Sequence, residues 1–235
     1  MKMGIIAAGK GERLALGGVS TPKPLVSIAG KALIARIIEA GVALGVSSVA
    51  CIVNELNPST IEFLRSGRWP VSLDLVVKTT PSSMESLFCL ARHLSDEPFV
   101  LSTVDVVFGP SIFERFVAEA RAKTDSMGSL ALTRFVDDEK PLWAAMDGAN
   151  RITAMGDPAR GSGYITAGFY YFKPDIFAEM DVAREKNLNA LRQFLGHLVD
   201  SGYPLHGVPV AKTIDVDYPE DIGKAESYLE EIDTA

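Results

Sequence analysis

A glycine-rich segment with basic side chains directly follows the first apolar run of the chain. The apolar run covers residues 4–8, the tripeptide Gly-Lys-Gly follows at 9–11, and two further cations stand at Arg13 and Lys23. Glycines leave backbone N–H groups open to a ligand, and basic side chains neutralise phosphate oxygens. The segment therefore predicts a phosphate site, although the loop by itself also allows a surface loop with solvated charges.

Two well-known phosphate motifs do not describe this segment. Leu14 stands where a dinucleotide-binding fingerprint has its third glycine. The Gly-Lys pairs at 9–10 and 30–31 lack the preceding glycine and the following Ser or Thr of a P-loop.

Lys23 has a proline on either side, which restricts the backbone around its ammonium group. A rigidly mounted lysine suits a fixed phosphate, although prolines also occur in plain loops.

The chain of 235 residues carries a formal net charge of −7, but its start is basic. Residues 1–36 hold six basic side chains and one acidic one, so they net +5 and leave −12 for the remainder. An acidic protein is a poor match for nucleic acid or for an anionic membrane surface. A small cluster of cations fits a compact polyanion better, and a nucleoside triphosphate is one such anion.

Two aspartates are candidates for metal binding. Asp105 follows an apolar run, and it could cap a helix predicted from residue 111. Ser111 and Glu114 already form a capping box for that helix, which leaves Asp105 for a metal ion. Asp217, two residues before a proline, fits a helix N-cap. The residues around Asp217 therefore leave both a capping and a metal-binding role open.

The histidines and cysteines give no sign of nucleophilic chemistry. None of His93, His197 and His206 stands beside a candidate nucleophile, so we interpret them as structural or surface residues. Cys51 and Cys89 lie in apolar runs, as reduced core thiols do. The opening apolar run is too short for a signal peptide, and no run reaches the ~18 residues of a membrane span. We expect a cytoplasmic protein without membrane contact.

Strand and helix patterns alternate along the first half of the chain and would position these residues. Continuous apolar strands between amphipathic helices predict a parallel sheet that is covered on both faces. The predicted strands are 3–7, 48–53, 73–77, 99–103 and 129–135, and the predicted helices are 32–44, 58–65, 83–94 and 111–122.

The second half has a different pattern. Two predicted strands, 151–155 and 164–172, are separated by a polar stretch that is typical of a hairpin. Helices at 174–180 and 187–200, a strand at 204–210 and a closing helix follow. The expected fold is α/β, with a single Rossmann-like domain over 1–235. Its mostly parallel, twisted sheet would be covered by helices and would carry a small mixed β insertion.

Several motifs of the chain resemble those of the sugar-phosphate nucleotidyltransferases, which make nucleoside-diphosphate sugars and related activated alcohols. IIAAGKGERL at 5–14 and TPKPLVSIAGKALI at 21–34 are similar to the opening signature of that family. STVDVVF at 102–108 and DVDYPEDIGKAESYL at 215–229 resemble two later motifs, in the same order. The resemblance implies a GT-A-like nucleotidyltransferase fold. The nucleotide-binding half would cover about 1–135, the acceptor-binding region about 136–212 and the closing helix about 218–232.

The resemblance also implies an activity. A nucleoside monophosphate would pass from a nucleoside triphosphate to a sugar 1-phosphate or a phosphocholine-like acceptor, with release of pyrophosphate and with Mg²⁺ as cofactor. Arg13 and Lys23 would be the catalytic cations. Asp105 and Asp217 would hold the metal ion, with Asp215 as the alternative to Asp217. The nucleotide would contact five residues of the opening loop: Ala7, Ala8, Gly9, Lys10 and Gly11.

The segment TTPSSMESL at 79–87 stands where the family selects its nucleotide, but it departs from the Gly-Thr-Ala pattern of the family. Ser82 and Ser83 take that place, and we expect them to contact the base or the ribose. Ser82 and Glu85 also form a capping box, which is the purely structural interpretation. The identity of the base therefore stays open.

The expected acceptor site lies in the second half, where GYITAGFYYFKPDIF at 163–177 resembles the acceptor-lining strand of the family. We expect Trp143 to form an aromatic platform for a sugar face or a choline headgroup, although packing over a core edge is the alternative. The family's lysine for the sugar phosphate is missing, and Lys140 or Arg160 could replace it. The opposite wall would consist of three residues on one strand face: Tyr164, Thr166 and Gly168.

Two other functions fit parts of the pattern. A glycosyltransferase of similar fold that consumes a nucleotide sugar would need metal-binding carboxylates, but it has no use for a cationic loop that grips a triphosphate. A non-catalytic, nucleotide-binding regulatory protein would keep the loop, but it would not need both Asp105 and Asp217. The presence of both features favours the nucleotidyltransferase.

Overall fold

The computed structural model describes residues 1–137 and 140–233. In chain order, the strands are β1 (Lys2–Ala7), β2 (Ser27–Ile28), β3 (Lys31–Ala32), β4 (Ser48–Val53), β5 (Ser72–Val77), β6 (Phe99–Thr103), β7 (Val106–Val107), β8 (Gly128–Thr133), β9 (Ala144–Met146), β10 (Ile152–Met155), β11 (Ile165–Phe172), β12 (Leu205–Pro209) and β13 (Ile214–Asp215). The α-helices are α1 (Glu12–Leu16), α2 (Leu33–Ala43), α3 (Pro58–Ser66), α4 (Ser83–Leu94), α5 (Pro110–Ala122), α6 (Met180–Glu185), α7 (Leu191–Asp200) and α8 (Pro219–Asp233). Short 3₁₀ helices lie at Lys23–Leu25, Asp157–Ala159 and Pro174–Glu179.

A seven-stranded sheet with the order β12-β8-β11-β6-β1-β4-β5 forms the centre of the molecule. Its neighbouring strands pair in parallel except at β11, which is antiparallel to both β6 and β8. The expected mostly parallel sheet is therefore confirmed. Three small antiparallel pairs, β2 with β3, β7 with β13 and β9 with β10, lie outside it among the described residues.

Helices cover both faces of this sheet because the strand side chains alternate between two apolar clusters. On β1, Met3 and Ile5 belong to the cluster that includes residues of α2, α5 and α8, whereas Ile6 belongs to the cluster that includes residues of α4 and α7. Strands buried on both faces need continuous apolar runs, as parallel strands usually have. Among the described residues, no helix has both the length and the apolar character needed to cross a membrane.

The hairpin predicted between 151–155 and 164–172 is wrong. β10 pairs with β9, a strand that the sequence patterns do not reveal, while β11 runs between β6 and β8 in the central sheet. Alternation indicates which side chains a strand buries, but it does not indicate the partner strand. The fully buried Phe169 and Phe172 place β11 in the core of the molecule.

The helices after β11 differ from their predicted extents. The stretch predicted as a helix at 174–180 is mainly 3₁₀ helix, and the helix predicted at 187–200 begins only at Leu191. Between α6 and α7, Asn187 has a left-handed φ of 55°. A left-handed residue of this kind ends a helix, and asparagine tolerates the conformation better than most residues do.

The capping box predicted for α5 is also wrong. α5 begins at Pro110, with Gly109 as its N-cap and no side-chain cap, so Ser111 lies inside the first turn. Proline is favoured at the first helical position, where its missing N–H costs nothing. Asp105 lies several residues before this helix and takes no part in capping it.

Candidate active site

Four charged side chains from separate parts of the chain meet at the carboxyl edge of the sheet. The ammonium nitrogen of Lys23 lies 2.8 Å from Oδ2 of Asp105 and 2.5 Å from Oδ1 of Asp217. Arg13 binds the other carboxylate oxygen of Asp217, with 2.6 Å between Nη1 and Oδ2. The structure thus brings together the two predicted catalytic cations and two predicted metal ligands. We call these four residues the charged tetrad.

Backbone pairing holds together the two segments that carry Asp105 and Asp217. Asp105 lies in the turn between β6 and β7, and Asp217 lies between β13 and α8. β7 pairs with β13, and the N–H of Val216 donates to the carbonyl of Asp105 over 3.0 Å. This short antiparallel pair therefore holds the segment before the closing helix against the end of the central strand β6.

Lys23 and Asp105 form an ion pair that is largely shielded from water. The Lys23 side chain is only 10% exposed. Burial by itself would lower the pKa of Lys23, but the carboxylates of Asp105 and Asp217 outweigh burial and raise that pKa above its ordinary value. Burial also acts to raise the pKa of Asp105, yet the charge and the hydrogen bond of Lys23 hold it below its usual value. Both groups are therefore charged at neutral pH.

The glycine-rich loop forms one wall of a cleft of about 480 Å³ beside the tetrad. Gly11 has a left-handed φ of 65°, which glycine adopts without strain. A Cβ atom at Gly11 would lie 3.0 Å from Cβ of Lys23, so the glycine allows the loop to pack against this lysine. Ala7 is instead part of the buried apolar cluster. Three other predicted loop residues line the cleft: Ala8, Gly9 and Lys10.

A buried asparagine, Asn54, also lines this cleft, although the sequence analysis does not single it out. Asn54 is 2% exposed, and its amide nitrogen donates to the carbonyl of Ala8 over 3.1 Å. Its amide oxygen accepts from the Thr79 hydroxyl at 2.9 Å and from the Leu56 N–H at 3.0 Å. Asn54 therefore ties together the segments that follow β1, β4 and β5. A polar residue directly after a buried strand is the signal that could have indicated it.

The predicted nucleotide-selecting segment lies on the same cleft, but its serines already have partners in the protein. Ser82 accepts the N–H of Glu85, which confirms that it caps α4. The Glu85 carboxylate does not close the box and binds Arg184 instead. Ser83 accepts the backbone N–H of Leu191 over 3.1 Å. Both serines line the cleft, and their contact with a nucleotide stays a prediction.

The interpretation of Asp217 as the cap of the closing helix is wrong. The carboxylate of Asp221 accepts the N–H groups of Asp217 and Tyr218. With proline at the first position of α8, the third helical residue supplies the acceptor that reaches back, as in the second half of a capping box. The side chain of Asp217 thus belongs to the tetrad, while Asp215 lies exposed at the end of β13.

The tetrad offers a donor set that fits Mg²⁺. Among the residues that the structure describes, no group of three or more His, Cys, Asp or Glu side chains is arranged for a metal ion. Asp105 and Asp217 nevertheless converge on one cationic atom, the Nζ of Lys23. Mg²⁺ is usually bound by one or two carboxylates, with the remaining positions taken by substrate phosphates and water. Two carboxylates beside a cleft of about 480 Å³ match that preference.

The predicted acceptor wall differs from the structure. Trp143 forms an antiparallel bridge with Ile165, and residues directly opposite each other share one face. Tyr164 and Thr166 therefore point to the other face, so the arrangement in which they stand opposite Trp143 is wrong. The Tyr164 ring instead carries the guanidinium group of Arg134 at 4.6 Å.

Gly168 does not leave the room that we expected for a sugar ring. It has a left-handed φ of 78° at a register shift in β11. A Cβ atom there would lie 3.0 Å from Cβ of Val106 and 3.1 Å from Oγ1 of Thr103. The glycine therefore serves the close approach of β11 to the turn that carries Asp105.

The two candidate replacements for the sugar-phosphate lysine lie apart from the tetrad's cleft. The carbonyl of Lys140 accepts from Arg192 over 3.1 Å. Arg160 binds Asp157 at the surface over 3.2 Å. The described lining of the cleft includes neither residue, so their role in acceptor binding stays a prediction.

The sequence of residues 3–166 matches the model of the MobA-like NTP transferase domain. The chain belongs to this family. Its resemblance to sugar-phosphate nucleotidyltransferases is therefore confirmed, and so is the corresponding fold.

Relatives of this MobA-like protein include enzymes with different substrates. CMP-5'-(3-aminopropyl)phosphonate synthase of Streptomyces rubellomurinus is 29% identical over 206 residues, which cover 85% of this chain and 31% of that protein. This chain thus spans about a third of the Streptomyces relative. The UTP–glucose-1-phosphate uridylyltransferase AglF of Haloferax volcanii is 23% identical and covers 98% of this chain and 97% of its own. The solved inositol-1-phosphate CTP transferase from T. maritima has a TM-score of 0.79 at 19% identity, with 98% and 96% of the two chains covered.

Proposed function

We propose that this MobA-like NTP transferase moves a nucleoside monophosphate from a nucleoside triphosphate to a phosphorylated acceptor and releases pyrophosphate. The charged tetrad carries the proposal, because two cations and two carboxylates converge beside a cleft that a glycine-rich loop lines. The acceptor would be a sugar 1-phosphate or a similar phosphorylated alcohol such as phosphocholine. The free thiols of Cys51 and Cys89 are compatible with the cytoplasmic location that we propose with it.

This reaction needs little acid–base chemistry from the protein. The nucleophile is a phosphate oxygen of the acceptor, which is already ionised at neutral pH. It attacks the α-phosphorus of the nucleotide, and the bond between that phosphorus and the bridging oxygen of pyrophosphate breaks. Catalysis then consists of holding two anions in line and stabilising the charge that develops on the leaving group. Arg13 and Lys23 supply positive charge for that purpose.

Mg²⁺ is the cofactor that we propose for this site. Asp105 and Asp217 would hold the ion, which neutralises nucleotide phosphate charge when bound. The same two carboxylates orient the ammonium group of Lys23. Loss of either carboxylate would therefore affect both the metal site and the placement of a catalytic cation.

The names of the relatives support a phosphate or phosphonate as the attacking group. One relative is named for a CMP-linked aminopropylphosphonate, another for glucose 1-phosphate and a third for inositol 1-phosphate. Their acceptors share a phosphorus oxyanion and differ in the organic group that it carries. We propose that this chain likewise recognises the oxyanion through the tetrad and selects the organic group elsewhere.

A direct assay tests this proposal. Each of the four common ribonucleoside triphosphates is combined with glucose 1-phosphate, inositol 1-phosphate, phosphocholine and 3-aminopropylphosphonate, and pyrophosphate release is measured. We expect release with at least one pair, its loss in EDTA and its return with Mg²⁺. If no pair in this panel, extended to other sugar 1-phosphates, gives pyrophosphate, the proposed function is wrong.

The same assay separates the alternatives. A glycosyltransferase would release a nucleoside diphosphate from a nucleotide sugar and would form no pyrophosphate. A regulatory protein would bind a nucleoside triphosphate, as seen by calorimetry, without turning it over. The two cations Arg13 and Lys23 suit a triphosphate and favour the transferase over the glycosyltransferase. The convergence of Asp105 and Asp217 favours it over the regulatory protein.

A further inference from the structure

One acidic side chain next to the tetrad is buried and is not among the residues that line the cleft assigned to the nucleotide. Asp221 is 7% exposed and lies in the first turn of α8. Its Oδ2 atom accepts the N–H of Tyr218 over 2.8 Å and the N–H of Asp217 over 3.1 Å. A single carboxylate oxygen thus holds the two peptide groups on either side of the Cα atom of Asp217.

The other oxygen of Asp221 is fixed from a different direction. Oδ1 accepts from Lys224, one helical turn later, over 3.1 Å. Lys224 also binds Asp137, which follows β8, over 2.9 Å. The hydrogen bonds that Lys224 donates to Asp137 and Asp221 raise its pKa to about 12, so the lysine is a cation at neutral pH. The Asp221 carboxylate therefore has partners on both oxygens and cannot rotate without losing them.

The direction of the Asp217 side chain depends on these contacts. Asp217 lies between β13 and α8, where no regular element holds its backbone. Its carboxylate must nevertheless present one oxygen to Lys23 and the other to Arg13. The hydrogen bond from its own N–H to Asp221 restricts the rotation of this peptide group, and with it the direction of the Cα–Cβ bond.

We propose that Asp221 is a positioning residue that fixes the peptide groups on both sides of Asp217, so that Asp217 faces Lys23, Arg13 and the metal position. This inference rests on the proposed function, because it concerns the orientation of a residue assigned to that reaction. Groups that orient a metal ligand from behind typically contribute about 10- to 100-fold to metal affinity or activity. Asp221 has this position relative to Asp217.

The test compares Asp221→Ala with Glu226→Gln. Glu226 is a matched control, because it is an acid on the same helix that also accepts a backbone N–H. That N–H belongs to Ala29, over 2.9 Å, and not to a peptide group next to Asp217. We expect the Mg²⁺ concentration for half-maximal pyrophosphate release to rise about tenfold in Asp221→Ala. Hydrogen exchange of the 217 and 218 amides should also accelerate. Glu226→Gln should change neither quantity.

A conservative variant keeps the proposal testable if Asp221→Ala folds poorly. Asp221→Asn retains one acceptor oxygen, so its metal dependence and its amide exchange should lie between those of the wild type and Asp221→Ala. Faster exchange with unchanged metal dependence would overturn the positioning role. So would a loss of activity that only follows the fraction of unfolded protein.

Failure of the proposed function gives a different result. If the wild type releases no pyrophosphate from any pair, the proposed function is wrong whatever the variants do. The exchange measurement then decides by itself whether Asp221 holds the 217–218 peptide, and unchanged exchange in Asp221→Ala would overturn that placement.

Discussion

The four residues of the tetrad act as one unit and not as separate ion pairs. Asp217 uses one oxygen for Lys23 and the other for Arg13, and Asp105 binds Lys23 from a second direction. The two cations and the two carboxylates cancel in formal charge. A triphosphate that enters the cleft therefore meets cations that already have partners, and it must exchange carboxylate contacts for phosphate contacts.

Replacement of Lys23 tests this unit most directly. We expect Lys23→Ala to lower the rate of pyrophosphate release about 100-fold, because removal of one contact to developing charge typically costs 10²–10³ in kcat. Lys31→Ala is the matched control, since Lys31 binds Glu39 at the surface and lies outside the cleft lining. Initial rates at saturating substrate give the comparison. A wild-type rate in Lys23→Ala would contradict its catalytic assignment.

Residue types and spacing predict some members of the site but not others. Arg13 stands out because it follows a glycine-rich loop, and Lys23 stands out because a proline lies on either side of it. Asn54 and Asp221 do not stand out in the sequence. The backbone partner of Asn54, the carbonyl of Ala8, is distant in the sequence. The partners of Asp221 are backbone N–H groups just before α8, and the sequence does not show which side chain accepts them. The capping role that the sequence left open for Asp217 is excluded for the same reason, because the pattern allowed two roles for this side chain and only packing selects between them.

The end of α1 packs directly on the start of α8, and this contact links the glycine-rich loop to the segment that carries Asp217. A Cβ atom at Gly17 would lie 2.3 Å from Cγ of Pro219. The guanidinium group of Arg13 also lies over the ring of Tyr218, 5.4 Å from its centroid. The two elements therefore approach as closely as a glycine permits.

Filling this contact should disturb catalysis without disturbing the backbone of the loop. Gly17 has a φ of −80°, which alanine adopts easily. The new methyl group in Gly17→Ala must displace Pro219, and Asp217 with it. We expect kcat for pyrophosphate release to fall about tenfold or more, since a displacement of about 1 Å can cost up to 10²-fold.

Gly223→Ala is the matched control for Gly17→Ala. Gly223 lies in α8, and a Cβ atom there would meet nothing within 4 Å. Alanine should therefore keep the wild-type rate and stabilise the helix by about 0.5–1 kcal/mol, measured by urea denaturation. If Gly17→Ala also keeps the wild-type rate, the contact with Pro219 does not position Asp217.

Sequence patterns predict the parallel strands better than the inserted ones. β1, β4, β6 and β8 are revealed by largely apolar runs, because both of their faces are covered. β5, at the edge of the sheet, is revealed by an apolar run that Asp74 interrupts. β9 has only three residues, and the pairing of β11 depends on contacts that its alternation does not encode. For this reason the acceptor wall at Trp143 and Tyr164 could not be derived, whereas the sequence does indicate the four residues that form the charged tetrad.

Over the whole molecule, elements from the second half of the chain contact the segment 79–87, which is predicted to select the nucleotide. Arg184 in α6 binds both carboxylate oxygens of Glu85, at 2.8 and 2.9 Å. The hydrogen bond with Arg184 lowers the pKa of Glu85. Ser83 accepts the N–H of Leu191 at the start of α7. Arg184 and Leu191 therefore connect the second half of the chain directly to the segment that we expect to bind the base or the ribose.

The stability of the whole molecule should depend on pH through one buried histidine in the edge strand of the sheet. His206 in β12 is 5% exposed, and its Nδ1 atom has no hydrogen-bond partner among the described residues. Burial lowers the pKa of His206 below its ordinary value of 6.5. The charges of Lys123 and Arg151 act in the same direction, and those of Asp125 and Asp147 oppose them. His206 is therefore neutral in the folded protein at neutral pH.

The sign of the pH dependence follows from this lowered pKa. Below about pH 6.5, the unfolded chain takes up a proton at His206 that the folded chain does not, so the free energy of unfolding falls as the pH falls. His206→Leu removes this linkage, and we expect its unfolding free energy to fall less than that of the wild type between about pH 7 and pH 5. Urea denaturation at a series of pH values gives the slope of unfolding free energy against pH for the wild type and for the variant. His93 and His197 remain in both proteins, so their contributions cancel in the difference.

His206→Gln provides the same comparison if the leucine variant folds poorly. Equal slopes in wild type and variant would contradict the prediction, because His206 would then bind its proton equally well in the folded and the unfolded chain.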